Sequence, residues 1–222
     1  MVQLSQQVRL YNLGMSGTSH QATRPLRADA EKSMTRILEA AERVFTIDPS
    51  ASLETVAKAA GVARTTVHRR FSSRDELRDA LVDVINEKLR DALANAKVDT
   101  APPLVALYQL TVATLDLKVD WRASWQLVDL GSKGTRGIDI DNIAELDSLL
   151  QRSRDVGLLR PDVSIRWTCN VYMALIHEAA TARRDDESAS DWAHLIMRTL
   201  LDGVGNNEHD LEALLTRSPV QA

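Results

Sequence analysis

Residues 52–77 read SLETVAKAAGVARTTVHRRFSSRDEL, and the fold turns on them. Ser52 stands where an N-cap hydroxyl can accept from a backbone N–H one turn in. Leu53, Val56, Ala57 and Ala60 share one face at helical spacing. Gly61 follows directly, where the chain must turn through a backbone angle that glycine takes without strain. Val62 re-enters the core. A second helix spans Arg64 to Phe71, with Val67 and Phe71 four residues apart and inward. That leaves Arg64, Thr65, Thr66, His68, Arg69 and Arg70 outward, and no carboxylate stands between Glu54 and Asp75. Helix, glycine turn and a short helix with a cationic, hydroxyl-bearing face is the helix-turn-helix arrangement that enters the DNA major groove. The alternative is a cationic face that only meets solvent.

Roles follow from reach. Arg64 and Thr65 open the second helix and should meet base edges, where an arginine can hold guanine O6 and N7 with two bonds. His68, one turn on, can donate to a base or a phosphate. Thr66, Arg69, Arg70 and Arg74 should hold phosphates and set register. Ser52 can offer a hydroxyl or its N–H to a phosphate at a helix start. One such head covers a short half-site, so useful affinity implies a homodimer on a palindromic operator.

Working outward, a helix is expected from about Asp29 to Phe45, striped by Met34, Ile37, Leu38, Ala41, Val44 and Phe45. It would carry the two short helices, which bury too little surface alone. Asp48-Pro49-Ser50 is a turn. Ser72-Ser73 opens a further helix from Arg74 to about Ala96, with Asp75 and Glu76 in its first turn where the helix dipole favours acid. Further helices are expected over residues 104–117, 121–130, 139–156, 164–183 and 191–204. In the helix over 139–156, Ile143, Leu146, Leu149 and Leu150 should point inward. The helix over 164–183 is marked by Trp167, Val171, Ala174, Leu175 and Glu178, and that over 191–204 by Trp192, Leu195, Ile196, Thr199 and Leu200. The fold class is therefore all-α. The domain reading is a flexible N-terminal extension (1–28), a helix-turn-helix domain (29–75), a helical effector-binding and dimerisation domain (76–205) and a C-terminal tail (206–222). In the tail, Leu211, Leu214 and Leu215 suggest a weak turn. Residues 1–28 read as a disordered start, with Met15 an alternative initiation point. They also read as a basic arm through Arg24 and Arg27.

The 222 residues carry a net charge of −4, which looks wrong for a DNA binder until it is divided. Residues 1–78 hold twelve Lys/Arg against eight Asp/Glu, and the remainder fifteen against twenty-three. The cationic surface thus belongs to the N-terminal piece. No apolar run approaches the roughly 20 residues that cross a bilayer, and no secretory signal is evident. The single Cys169 excludes an intramolecular disulfide and a cysteine-cluster metal site. A cytoplasmic protein is expected, with Cys169 a small buried hydrophobe.

The run AKAAGVARTTVHRRFSSRDELRDAL (57–81) resembles the N-terminal signature of TetR-type transcriptional regulators, A-x-x-A-G-V-S-x-x-T-[LV]-Y-x-[HY]-F-x-[ST]-K-x-x-L. Ala57, Ala60, Gly61, Val62, Thr66, Val67, Phe71 and Leu77 agree in identity and register. Ala63 replaces the usual Ser cap, His68 the usual Tyr, and Arg74 the usual Lys. The resemblance implies an all-α, two-domain homodimer, a repressor released by a small molecule. Contacts to DNA carry over to His68 and Arg74. It also implies a lever, in which ligand in the body shifts the helix 74–96 and so the spacing of two heads. The helices over 164–183 and 191–204 are the two that pair with their copies in that family. Burial within the monomer is the alternative.

In the body, Tyr108, Trp121, Trp125, Trp167, Tyr172, Met173 and His177 are the candidates for an effector pocket, against ordinary core packing. His177 and Glu178 are adjacent and face different ways on a helix. No His-x-x-x-His or Glu-x-x-His partner appears, so neither a metal, a cofactor nor catalysis is expected. The run 131–137, with Lys133 and Arg136, lacks a phosphate-loop pattern and reads as a mobile loop. The rivals are a helical enzyme or carrier with a vestigial head, which would need a nucleophile–base pair or metal cluster, and a protein–protein adaptor.

Overall fold

A computed structural model describes residues 23–129, 137–184 and 186–202. Nine helices and no strand are found among them: α1 (Thr23–Ile47), α2 (Leu53–Ala60), α3 (Arg64–Arg70), α4 (Arg74–Ala96), α5 (Pro103–Asp120), α6 (Arg122–Asp129), α7 (Ile140–Asp155), α8 (Ile165–Ala182) and α9 (Ala189–Asp202). The all-α expectation is met. The readings made for residues 131–136 of the glycine-rich run and for the C-terminal leucines, and those for residues 1–22, lie outside the described residues, as do the side chains of Arg24 and Arg27. Helix α1 starts at Thr23, ahead of the expected Asp29. Pro25 does not stop it, because the first helical turn needs no proline N–H.

The packing divides the chain into two units. The first comprises the chain up to Asp91 together with Leu117–Ile143, and the second Ala92–Asp116 with the chain from Ala144 on. In the first unit, Ile37, Ala41 and Phe45 of α1 close over Leu53, Val56, Ala57 and Ala60 of α2, Val67 of α3, Phe71, and Leu77 and Leu81 of α4. The turn before α2 is an Asx turn: the Ser50 N–H donates to the Asp48 carboxylate at 2.8 Å and the Ser50 hydroxyl at 2.6 Å. Arg74 donates to the Ser50 carbonyl at 2.8 Å and Arg78 to the Pro49 carbonyl at 2.7 Å, so α4 fixes this turn from across the head. At the start of α4 the Ser73 hydroxyl accepts the Glu76 N–H at 3.1 Å. The Glu76 carboxylate reaches back to the Ser72 N–H at 2.6 Å and hydroxyl at 2.7 Å, a reciprocal cap. Those bonds from Ser72 hold the Glu76 carboxyl below its ordinary range.

A second apolar cluster in this unit gathers Ile85 and Leu89 of α4, Leu117 of α5 and Trp125 of α6. Beside it the buried Asn86 accepts the Asp139 N–H at 2.8 Å, donates to the Gly137 carbonyl at 3.1 Å and receives Asn142 on its own carbonyl at 3.0 Å. These bonds set the start of α7.

The second unit has its own core, from Leu93 of α4 and Leu107 and Leu115 of α5 through Leu149 and Leu150 of α7 to Tyr172 and Ile176 of α8 and Ile196 of α9. Arg152 ties down the connection before α5 by donating to the carbonyls of Val98 and Ala101. One inward assignment needs correction. Ile143 is 43% exposed, because it lies in the first turn of α7, ahead of the buried Leu146, Leu149 and Leu150. The buried face of α8 is Thr168, Tyr172, Ile176 and Ala179. Of the residues that mark this helix in the sequence, Trp167 is 62% exposed and Ala174 and Glu178 are outward. On α9, Ala193, Ile196 and Met197 are buried while Leu195 is 54% exposed. Both helices are apolar on more than one face, and spacing alone does not say which face the core takes.

Candidate nucleic-acid interface

The two short helices meet as the sequence requires. Ser52 is the N-cap of α2, its hydroxyl accepting the Thr55 N–H at 3.2 Å. Gly61 ends α2 at φ +63°, in the left-handed region, and its N–H returns to the Lys58 carbonyl. A second reason for glycine comes from α1. Arg36 donates to the Ala60 carbonyl at 2.7 Å and the Gly61 carbonyl at 3.0 Å. A Cβ on residue 61 would sit 2.9 Å from the Arg36 guanidinium. The α2 carbonyls that lack helical partners are thus taken by a cation at the negative end of the helix dipole.

Helix α3 begins at Arg64, and its N-cap, Ala63, offers no side-chain bond. Val67 is fully buried and Phe71 nearly so, and these two seat the helix. Arg64, Thr65, His68 and Arg69 are exposed, and Thr66 and Arg70 are half-buried. Exposed Arg64 pairs with exposed Glu54 in the first turn of α2, an ion pair between the two limbs of the motif. Ser52 lies exposed at the start of α2. Arg74 is half-buried and already holds the Ser50 carbonyl. Seven of the eight residues singled out for DNA lie on α2's cap and α3, and Arg74 opens α4. Arg36 and Glu54 escaped sequence reasoning. Glu54 stood within the quoted stretch, but a carboxylate in a first turn is ordinary helix chemistry, and only the crossing of α2 and α3 gives it a partner.

The body candidates do not form one group. Trp121 and Trp125 lie in the first unit, and Tyr108, Trp167, Tyr172, Met173 and His177 in the second. Trp125 is buried beneath the Lys118 ammonium, 4.1 Å from its ring centroid, and Trp121 is half-buried under Lys88 at 4.9 Å. Trp125 Nε1 and Asn142 Oδ1 are buried without a hydrogen-bond partner among the described residues. Tyr172 is 1% exposed and shares a 2.9 Å hydrogen bond with the Thr111 hydroxyl, and burial pushes its phenol pKa upward. Tyr108 meets Ser190 at 2.6 Å and packs edge-on to the His194 ring. Met173 is half-buried against the core and His177 is exposed on α8. Burial, and then the nearby Asp147 charge, push the Cys169 thiol up to about 11, so it carries little thiolate near neutral pH. No cluster of three or more metal-ligating side chains occurs among the described residues, and no helix there is long and apolar enough to cross a membrane.

Residues 37–81 match the family model described as bacterial regulatory proteins, tetR family. The repressor LfrR of Mycolicibacterium smegmatis is 28% identical over 176 residues, covering 78% of this chain and 91% of that protein. The regulator NfxB of Pseudomonas aeruginosa is 26% identical over 177 residues, covering 77% and 94%. The crystal structure of LfrR in complex with proflavine is 25% identical, with a TM-score of 0.60 over 79% of this chain and 98% of that one. PfmR from Thermus thermophilus shares the fold at 21% identity, with a TM-score of 0.63 over 77% of this chain and all of that one. The motif in register, its helix-turn-helix geometry and these relatives together show a tetR-family DNA-binding segment over residues 37–81, in a chain similar over most of its length to transcriptional regulators.

Proposed function

We propose that the protein is a repressor that binds a palindromic operator as a homodimer and is released by a small molecule. The observation that carries the DNA reading is the outward face of α3. Two inward side chains seat the helix, and Arg64, Thr65, His68 and Arg69 are left exposed. Arg64 and Thr65 read base edges, with Glu54 holding the guanidinium in place until DNA displaces it. His68 contacts a base or a phosphate. Thr66, Arg69 and Arg70 hold phosphates. Arg74 acts beside them through the N–H groups its bond to Ser50 leaves over, and Ser52 through the start of α2.

The homodimer reading draws on the outward apolar side chains of α8 and α9, above all Trp167 and Leu195. For the effector, the cluster around Trp121 and Trp125 is the best supported. It gathers aromatic and aliphatic side chains around a buried indole N–H that has no acceptor among the described residues, the mixture small-molecule sites use. That LfrR has been seen with proflavine supports a small-molecule effector here. In this reading the head is residues 29–75 and the effector-binding and pairing domain residues 76–205. Fully buried Tyr172 serves the core of that domain.

The test is binding of the purified protein to the DNA upstream of its own gene, titrated with salt. Tight binding with a steep salt slope is expected, and Arg70→Ala should weaken all sequences alike and reduce the slope by about one. Salt-insensitive binding to a protein partner instead would favour the adaptor reading.

A further inference from the structure

Glu42 is a buried carboxylate that the DNA-reading face does not use. It lies on α1, 6% exposed. One oxygen accepts the Ala123 N–H at 2.6 Å. The other accepts the Ser124 N–H at 3.0 Å and also the Ser124 hydroxyl. These N–H groups belong to the first turn of α6, where a helix has no internal partners for its donors and its dipole favours an anion. A carboxylate from another helix placed there makes charge-assisted bonds, stronger and more directional than neutral ones. Ala123 itself packs in the head core with α1, whereas the next residue but one, Trp125, packs in the second cluster against Ile85 and Leu89 of α4. Helix α6 therefore has one end gripped by the helix that carries the DNA-reading motif and an indole seated elsewhere.

We propose that Glu42 is the positioning residue that couples the DNA-reading head to α6. Seating α3 on DNA orders α2 and α1 behind it, and the Glu42 carboxylate passes that change to the start of α6. By reciprocity, a displacement of α6 is felt at α3. The proposal rests on the operator-binding reading above.

Hydrogen exchange of the full chain, with and without the upstream duplex, tests it. In the wild type, duplex should slow exchange of the Ala123 and Ser124 amides by at least about fivefold, the lower end of ordinary coupling factors. In Glu42→Gln that change should vanish while operator affinity stays within about twofold, well inside a tenfold step. Should Glu42→Gln fold poorly, Ser124→Ala removes only the hydroxyl bond and should diminish the change. Protection of the α3 amides with no change at residues 123 and 124 overturns the proposal alone. So does a Glu42 variant that loses affinity or stability yet keeps the full DNA-induced change, the mark of a merely structural carboxylate. No protection at residues 64–70 overturns the operator reading, and this one with it.

Discussion

Helices α3 and α8 both carry sets of chemically interesting side chains, and they use them in opposite ways. α3 has seven residues and is seated by Val67 and Phe71, which leaves Arg64, Thr65, His68 and Arg69 exposed, Arg64 in an ion pair with Glu54. α8 has eighteen residues and spends Thr168, Tyr172, Ile176 and Ala179 on the core. Its aromatic and sulfur-bearing residues are consequently split, with Tyr172 sealed in, Cys169 and Met173 half-covered and Trp167 on the outside. Function is easiest to read where the fold asks least of the side chains. A polar face on a short helix has few structural uses, whereas an aromatic residue on a long apolar helix has many.

The largest expected effect lies at the seat of α3. Phe71→Ala should cost about 3–5 kcal/mol in denaturant unfolding of the first unit, the usual range for a buried phenylalanine. A loss below about 1 kcal/mol would break the comparison, because α3 would then owe its place to more than two inward residues. Arg64→Ala comes next. It should leave stability unchanged but cost about 1–3 kcal/mol of discrimination at one base pair, measured on a set of operator variants. Equal losses on every sequence would move Arg64 to the phosphate contacts.

On the α8 side, Tyr172→Phe should cost about 0.5–1.5 kcal/mol in stability, since Thr111 keeps its 2.7 Å bond to the Leu107 carbonyl. Operator affinity should not change; a large change there would make Tyr172 a signalling residue and not a packing one. The smallest effect is at the α4 cap. The Glu76 pKa is lowered in the folded chain, so its contribution is present above its unfolded pKa and is lost as pH falls through the folded value. Glu76→Gln should therefore lower stability near neutral pH and flatten its acid side, as read by thermal unfolding across the acid range. An unchanged acid limb would mean that the Ser72 bonds carry no pH dependence.

The sequence by itself determined the helices, the glycine turn and the outward face of α3, because each depends on neighbours within a turn or two. Ser52 as cap, Gly61 at positive φ, and Val67 and Phe71 inward are local consequences of residue type and spacing. Even the missing cap at Ala63 was legible. Tertiary structure decided what no local pattern contains. It brought Arg36 over the end of α2, Glu54 to Arg64, and Glu42 to the first turn of α6, across 24, 10 and 81 residues of chain. It also chose which apolar face of α8 the core would take. A helix apolar on two faces satisfies its periodicity either way, and only the elements packed against it break that degeneracy.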